Sequence, residues 1–229
     1  MNPLHIVVLD RDTLVNRPFD FDFPHTLSSY GTTEAHETLE RIRGADIVIT
    51  NKVVISAQAF AENPQLKLVA VTATGVNNVD VKAAKQNGTA VCNIRAYGNE
   101  SVAEHAFMMM ITLMRNLPAY QRDVAAGLWE NSPFFCHLGA PMRDLNGKTL
   151  AIFGRGNIGK TLATYAQAFK MNVVFAEHKN AQSVRDGYVS FDEAIRSADV
   201  VSLNCPLTPQ TANMIGEAEL QQMKPGAIL

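Results

Sequence analysis

The chain reads as an α/β protein made of two parallel-sheet units joined by a long helix, and three observations predict this. Short β-branched runs alternate with helical stretches through residues 1–98, a long apolar helical segment follows, and the alternation resumes at residue 149. The 229 residues are 47% hydrophobic and 18% charged, a balance that fills a sizeable core and does not suit a disordered chain.

In the first unit, strands are expected at 6–9, 46–50, 67–71 and 89–92, with helices at 56–62 and 80–86. Strands joined by crossover helices make a parallel sheet. Residues 16–30, rich in Pro, Phe, Asp and Ser, read as a loop that runs into a helix after Gly31. Residues 99–127 form the longest helical segment. Ser101 and Glu104 fit a capping box at its start. Val102, Ala106, Met109, Leu113 and Leu117 mark one face, while Phe107, Met108, Met110, Ile111 and Met114 fill the others. A helix apolar all round is expected to be buried on all sides, at a domain junction or against a second subunit, with plain core filling by methionine the equal alternative. In the second unit, strands are expected at 149–153, 173–177 and 200–204, with an unfinished one at 226–229. The helices between them are expected at 157–170, 191–197 (Ser190 and Glu193 forming another capping box) and 216–223.

Composition narrows the function. A formal charge of −2 provides no basic field for a polyanion, so no nucleic-acid partner is expected. Cys92, Cys136 and Cys205 are odd in number and lack metal or redox spacing, as reduced thiols of a cytoplasmic protein do. The apolar run 4–9 has no basic flank or cleavage site, and the run 106–114 is too short to span a bilayer, so no membrane partner is expected.

The segment GKTLAIFGRGNIGKTLATYAQAFKMNVVFAEH carries the chemical signal. Gly154, Gly156 and Gly159 make G-x-G-x-x-G directly after a strand and at the mouth of a helix. The first glycine permits the tight turn, the second lets a pyrophosphate approach the backbone, and the third lets helix pack closely on strand. The helix amides and dipole then hold the phosphate charge, with Arg155, Asn157 and Ile158 completing the turn. Ile158, Leu162, Tyr165, Ala166 and Phe169 form the inward face of that helix. Glu177 closes the second strand, where a carboxylate accepts the adenosine ribose hydroxyls and repels a 2′-phosphate. This βαβ unit therefore predicts a dinucleotide site that favours NAD over NADP. A structural glycine turn or an S-adenosylmethionine site is the alternative.

Several segments together resemble the D-isomer-specific 2-hydroxy-acid dehydrogenases: the glycine turn with its preceding GKTL, NCPLTPQTANMIGEAELQQMKPGAIL, ATGVNNVDVKAAKQNGTAVCN and SVAEHAF. ATGVNNVD combined with LWENSPFFCHLGAPMRDLNGKT is most similar to the glycerate dehydrogenase (hydroxypyruvate reductase) branch. The resemblance implies a flavodoxin-like substrate domain at 1–98, followed by an incomplete Rossmann NAD-binding domain at 99–229 whose helix 99–127 forms a homodimer. It implies that Gly75 and Val76, in the loop after the third strand, present amides to the carboxylate of a 2-hydroxy or 2-keto acid. Lys52 is a second carboxylate contact or a solvated strand-end lysine. Cys205 and Pro206 line the nicotinamide side, and Thr211 reaches a phosphate. The family's catalytic arginine, glutamate and histidine are expected beyond Leu229, so the chain is expected to be a fragment. Its six histidines have no assigned catalytic role, and His105 is expected to be packed. D-glycerate/hydroxypyruvate is the expected substrate. The alternatives are phosphoglycerate or another 2-keto acid, and a non-catalytic NAD-binding or dimerisation module. Trp129, Phe134 and Phe135 bear on substrate choice, with core packing expected for the two phenylalanines.

Overall fold

The computed structural model describes residues 2–14 and 18–229. The chain divides into two compact units, Met1–Tyr97 and Gly98–Leu229.

The first unit is a five-stranded parallel sheet in the order β2-β1-β3-β4-β5. The strands are β1 (Leu4–Val8), β2 (His25–Ser29), β3 (Ile47–Thr50), β4 (Leu68–Val71) and β5 (Ala90–Asn93). The helices α1 (Thr38–Arg41), α2 (Ala57–Glu62) and α3 (Val81–Asn87) connect them. An order of 2-1-3-4-5 is the flavodoxin-like arrangement. Ile6, Val7 and Val8 are all fully buried, because both faces of such a sheet are covered and its strands need not alternate. Val7, Val48 and Val69 pack with Ile42 and Phe60 on one side, while Ile6, Val8 and Ile49 meet Phe19, Phe21 and Phe23 on the other.

The stretch 16–30 is therefore not simply a loop. Residues 16 and 17 lie outside the described residues, but Phe19, Phe21 and Phe23 cover the sheet, and His25–Ser29 pairs in parallel along the whole of β1. The helix after Gly31 is a single turn, α1. Asp80 starts α3 by accepting the Ala83 amide at 2.9 Å, and Gly88 ends that helix at φ 77°. Asp80→Ala is expected to cost about 1 kcal/mol through the lost N-cap. A urea midpoint equal to wild type would argue against that role.

The second unit holds a three-stranded parallel sheet, β7-β6-β8, from β6 (Thr149–Phe153), β7 (Asn172–Ala176) and β8 (Val200–Leu203). Single parallel bridges extend it on both sides, Ala176 to Val189 and Val200 to Ile228. In chain order this is 3-2-1-4-5, the doubly wound dinucleotide-binding pattern. The expected strand 226–229 is thus only one bridge at Ile228. The helices α6 (Asn157–Ala168), α7 (Phe191–Ser197) and α8 (Glu217–Gln222) flank this sheet. Ser190 caps α7 by accepting the Glu193 amide at 3.2 Å.

The expected helix 99–127 is two helices, α4 (Asn99–Met114) and α5 (Leu117–Ala125). Asn116 sits between them at φ 51°, a left-handed conformation asparagine tolerates, and Pro118 follows in the first turn of α5. The Ser101–Glu104 box does not cap α4, which begins two residues earlier after Gly98, and Ser101 instead donates weakly to the Gly98 carbonyl at 3.5 Å.

The inward face of α4 is also corrected. Ala103, Phe107, Met110 and Met114 are buried against α6, whereas Val102, Met109, Leu113 and Leu117 are about half exposed. His105 is exposed and not packed. Tyr165 of α6 donates to Glu100 at 2.6 Å, which pushes its hydroxyl up to about 12, and Phe107 meets Phe169 edge-on at 4.9 Å. Phe134 and Phe135 are 73% and 99% exposed, so they are not core residues. No helix among the described residues is long and apolar enough to cross a membrane, and no metal-holding cluster occurs among them.

Candidate functional site

The glycine turn lies at the carboxyl end of β6. It sits where the strand order reverses between β6 and β8, the place where doubly wound sheets bind ligands. Gly154 holds φ +108°, and a Cβ there would lie 2.7–2.8 Å from the backbone of Asn204 and Cys205. The turn after β6 and the loop after β8 are thus in backbone contact, and the Asn204 amide donates to Phe153 at 2.8 Å. A Cβ on Gly159 would fall 2.1 Å from the Gly154 carbonyl oxygen, so only glycine lets α6 start this close to the strand. Gly156 differs: nothing lies within 4 Å of its Cβ position. Its open side, beside the uncapped N-terminus of the twelve-residue α6, is where a phosphate can reach the backbone amides.

A cavity of about 250 Å³ brings Gly154, Arg155 and Gly156 together with Glu177, Cys205, Pro206 and Thr211. Asn157, Ile158 and Gly159 stand behind it in the first turn of α6. Seven of the residues expected at a cofactor site therefore share one concavity. Two of them are set differently from expectation. The Thr211 hydroxyl donates to the Pro206 carbonyl at 2.6 Å and accepts the Thr208 amide at 2.8 Å, so it holds its own loop and has no free proton for a phosphate.

Glu177 is 3% exposed, and its acceptors are taken. Oε1 receives the His178 amide at 2.8 Å and Arg185 Nη2 at 2.7 Å, while Oε2 receives Arg185 Nε at 2.7 Å and the Arg185 amide at 3.2 Å. The guanidinium, helped by the His178 amide, holds the carboxyl at about 2, well below its ordinary 4.5. Because the folded value is the lower one, this pair stabilises the protein fully above about pH 4.5, and its contribution fades as pH falls towards 2. The gap in urea midpoint between wild type and Glu177→Gln should therefore narrow on acidification from pH 7 to 3. A gap independent of pH would refute the linkage. Nearby, Lys179 pairs with Glu219 at 2.7 Å, lowering that carboxyl in turn.

In the first unit, the order of the strands reverses between β1 and β3. Asp10, just past β1, is 4% exposed and accepts the amides of Asn51, Lys52 and Val53 at 2.9, 2.6 and 3.3 Å. It thereby shapes the loop after β3. The Lys52 side chain is exposed, and its ammonium has no partner among the described residues. Gly75 and Val76 follow β4, which is the fourth strand and not the third, because β2 is a strand. Their amides donate to no group among the described residues. The Asn78 carbonyl accepts the Ile55 amide at 2.8 Å, which ties the two loops together.

These residues and folds have known counterparts. Residues 107–229 match the family model described as D-isomer specific 2-hydroxyacid dehydrogenase, NAD binding domain. A putative 2-hydroxyacid dehydrogenase of Haemophilus influenzae is 41% identical over 99% of this chain and 72% of its own length. The chain belongs to the D-isomer-specific 2-hydroxy-acid dehydrogenase family. A glycerate dehydrogenase of Methylorubrum extorquens is 40% identical over 98% of the chain and 70% of that relative. The crystal structure of a glyoxylate reductase from Paecilomyes thermophila superposes with a TM-score of 0.76 at 27% identity, over 100% of this chain and 73% of that one.

Within this dehydrogenase fold the second unit holds the NAD-binding domain, and the open space at Gly156 beside uncapped helix amides fits a dinucleotide phosphate. Sequence reasoning missed Asp10, Arg185 and Tyr188. An aspartate directly after the first strand was a usable signal for Asp10. Arg185 and Tyr188 lie between β7 and α7 with no motif around them.

Proposed function

We propose that the chain is an NAD-dependent oxidoreductase of D-2-hydroxy acids, acting on D-glycerate/hydroxypyruvate. The observation that carries this is the Gly154–Gly159 turn, open at Gly156 and facing Glu177 and Cys205 across one cavity. NAD supplies the hydride acceptor in this chemistry. The chain's own residues bind: the α6 amides take the pyrophosphate, Cys205 and Pro206 line the nicotinamide side, and the Gly75 and Val76 amides with Lys52 take the substrate carboxylate. The likeness to a glycerate dehydrogenase at 40% identity over 98% of the chain supports this substrate over phosphoglycerate. Titration of Trp129 fluorescence with NADH, followed by titration of the NADH-bound protein with hydroxypyruvate, tests the reading. Saturable binding lost in Gly156→Val is expected, and binding that is absent or indifferent to Gly156→Val would overturn it.

The same reading includes a cytoplasmic homodimer. The half-exposed apolar row Val102, Met109, Leu113 and Leu117 supports self-association through α4 and α5, and three unpaired cysteines suit a reducing compartment. Sedimentation of Met109→Glu against wild type tests the dimer; two equal masses at twice the chain weight would place the contact elsewhere.

A further inference from the structure

The Glu177–Arg185 pair occupies the place where a doubly wound domain reads the adenosine ribose. A carboxylate offers about four lone-pair positions, and all four on Glu177 are filled, two by backbone amides and two by the Arg185 fork. A ribose diol finds no acceptor there unless the guanidinium withdraws. The reason for excluding a 2′-phosphate, an unpaired negative charge at this point, is missing as well, because Arg185 neutralises it at 2.7 Å.

Arg185 also has capacity left over. A guanidinium has five N–H donors, and the fork uses two of them, so three remain on a side chain that is 54% exposed. The plane is held from a second side: the guanidinium lies 4.2 Å from the centre of the Tyr188 ring, and Arg155 lies 5.4 Å from the same ring. Arg155 is the residue between the first two glycines of the turn and also stands 4.9 Å from Phe175. Glu177, Arg185, Tyr188 and Arg155 all line the one cavity. Arginine held flat by a ring, with donors to spare, is the group that recognises a phosphate.

We infer that Arg185 sets cofactor choice in this chain: latched on Glu177, it presents its free donors to a 2′-phosphate, so that the site takes NADPH as well as NADH. With NADH the ribose diol competes with the latch for the same carboxylate, and with NADPH the latch stays closed and the phosphate adds to it. This rests on the dinucleotide reading above and goes past it, since an acidic residue at the end of β7 by itself predicts rejection of NADPH.

Dissociation constants for NADH and NADPH, measured by fluorescence on wild type, Arg185→Ala and Arg185→Lys, provide the test. Wild type should bind the two within about thirtyfold of each other. In Arg185→Ala the ratio should move at least about tenfold towards NADH, as expected for loss of a charge-assisted contact together with release of the Glu177 carboxylate. Arg185→Lys, which keeps the charge without the fork, should fall between and guards against a variant that merely folds poorly. A wild-type preference for NADH beyond thirtyfold, or a smaller shift in Arg185→Ala with NADH still bound, would overturn the assignment of Arg185 alone. Failure of the wild-type protein to bind either dinucleotide would instead remove the dinucleotide reading and this inference with it.

Discussion

Gly154→Ala is expected to remove NADH binding and to destabilise the second unit, whereas Gly156→Ala should keep the fold and lose only the ligand. At Gly154 two costs add. The backbone is at φ +108°, which L side chains rarely adopt, and the new methyl would sit 2.7–2.8 Å from main-chain atoms of Asn204 and Cys205. Strain and overpacking each cost about 1–3 kcal/mol, so the loss should be roughly 2–6 kcal/mol. Neither neighbour can yield cheaply, because both are backbone at the end of β8. Gly156 has an ordinary φ of −78° and empty space around its Cβ position, so the methyl clashes with nothing in the protein and only with what approaches from outside. Urea midpoints and NADH titrations on the two variants separate these effects. A Gly154→Ala protein with the wild-type midpoint would refute a close backbone contact between the β6 turn and the β8 loop.

The parts of this fold that were legible in sequence are those where one local pattern has one structural outcome. Strand β6 and helix α7 run over the residues that periodicity and capping indicate, and the three glycines mark a turn whose sterics admit nothing larger. The failures have physical causes of their own. Strand β2 was hidden because it is an edge strand of mixed polarity, HTLSS, although the preceding Phe19, Phe21 and Phe23 carry a period of two. The orientation of α4 could not be read from a helix apolar on every face, since its packing against α6 and not its own pattern selects Ala103, Phe107, Met110 and Met114. The break at Asn116 was readable, because asparagine followed two residues later by proline is a stop-and-restart signal. Glu177 follows β7 and lines the same cavity as the glycine turn, yet its partner Arg185 lies eight residues on in irregular chain, where no spacing rule applies. Motifs locate the backbone of a site better than they locate the side chains that occupy its donors and acceptors.

Asp10→Ala should impair substrate binding without touching the cofactor. Its carboxylate is buried and accepts three consecutive amides, those of Asn51, Lys52 and Val53, with the Thr50 hydroxyl at 3.4 Å. Deleting it strands those donors, and a buried unsatisfied donor costs about 1–3 kcal/mol. Some of the amides in this partly exposed loop will find water, so a total of about 2–4 kcal/mol is expected. The loop it shapes carries Lys52 and, through the Ile55–Asn78 hydrogen bond at 2.8 Å, is tied to the loop of Gly75 and Val76. Losing the carboxylate should therefore raise the hydroxypyruvate concentration needed to half-saturate the NADH-bound protein, while the NADH dissociation constant, a property of the second unit, stays at the wild-type value. Asp10→Asn retains one acceptor oxygen and should fall between. Asp10 acts by positioning Lys52 and not by touching substrate, and the split between substrate and cofactor affinities is what distinguishes that role from general destabilisation. Equal weakening of both ligands in Asp10→Ala would show that the variant has only loosened the fold.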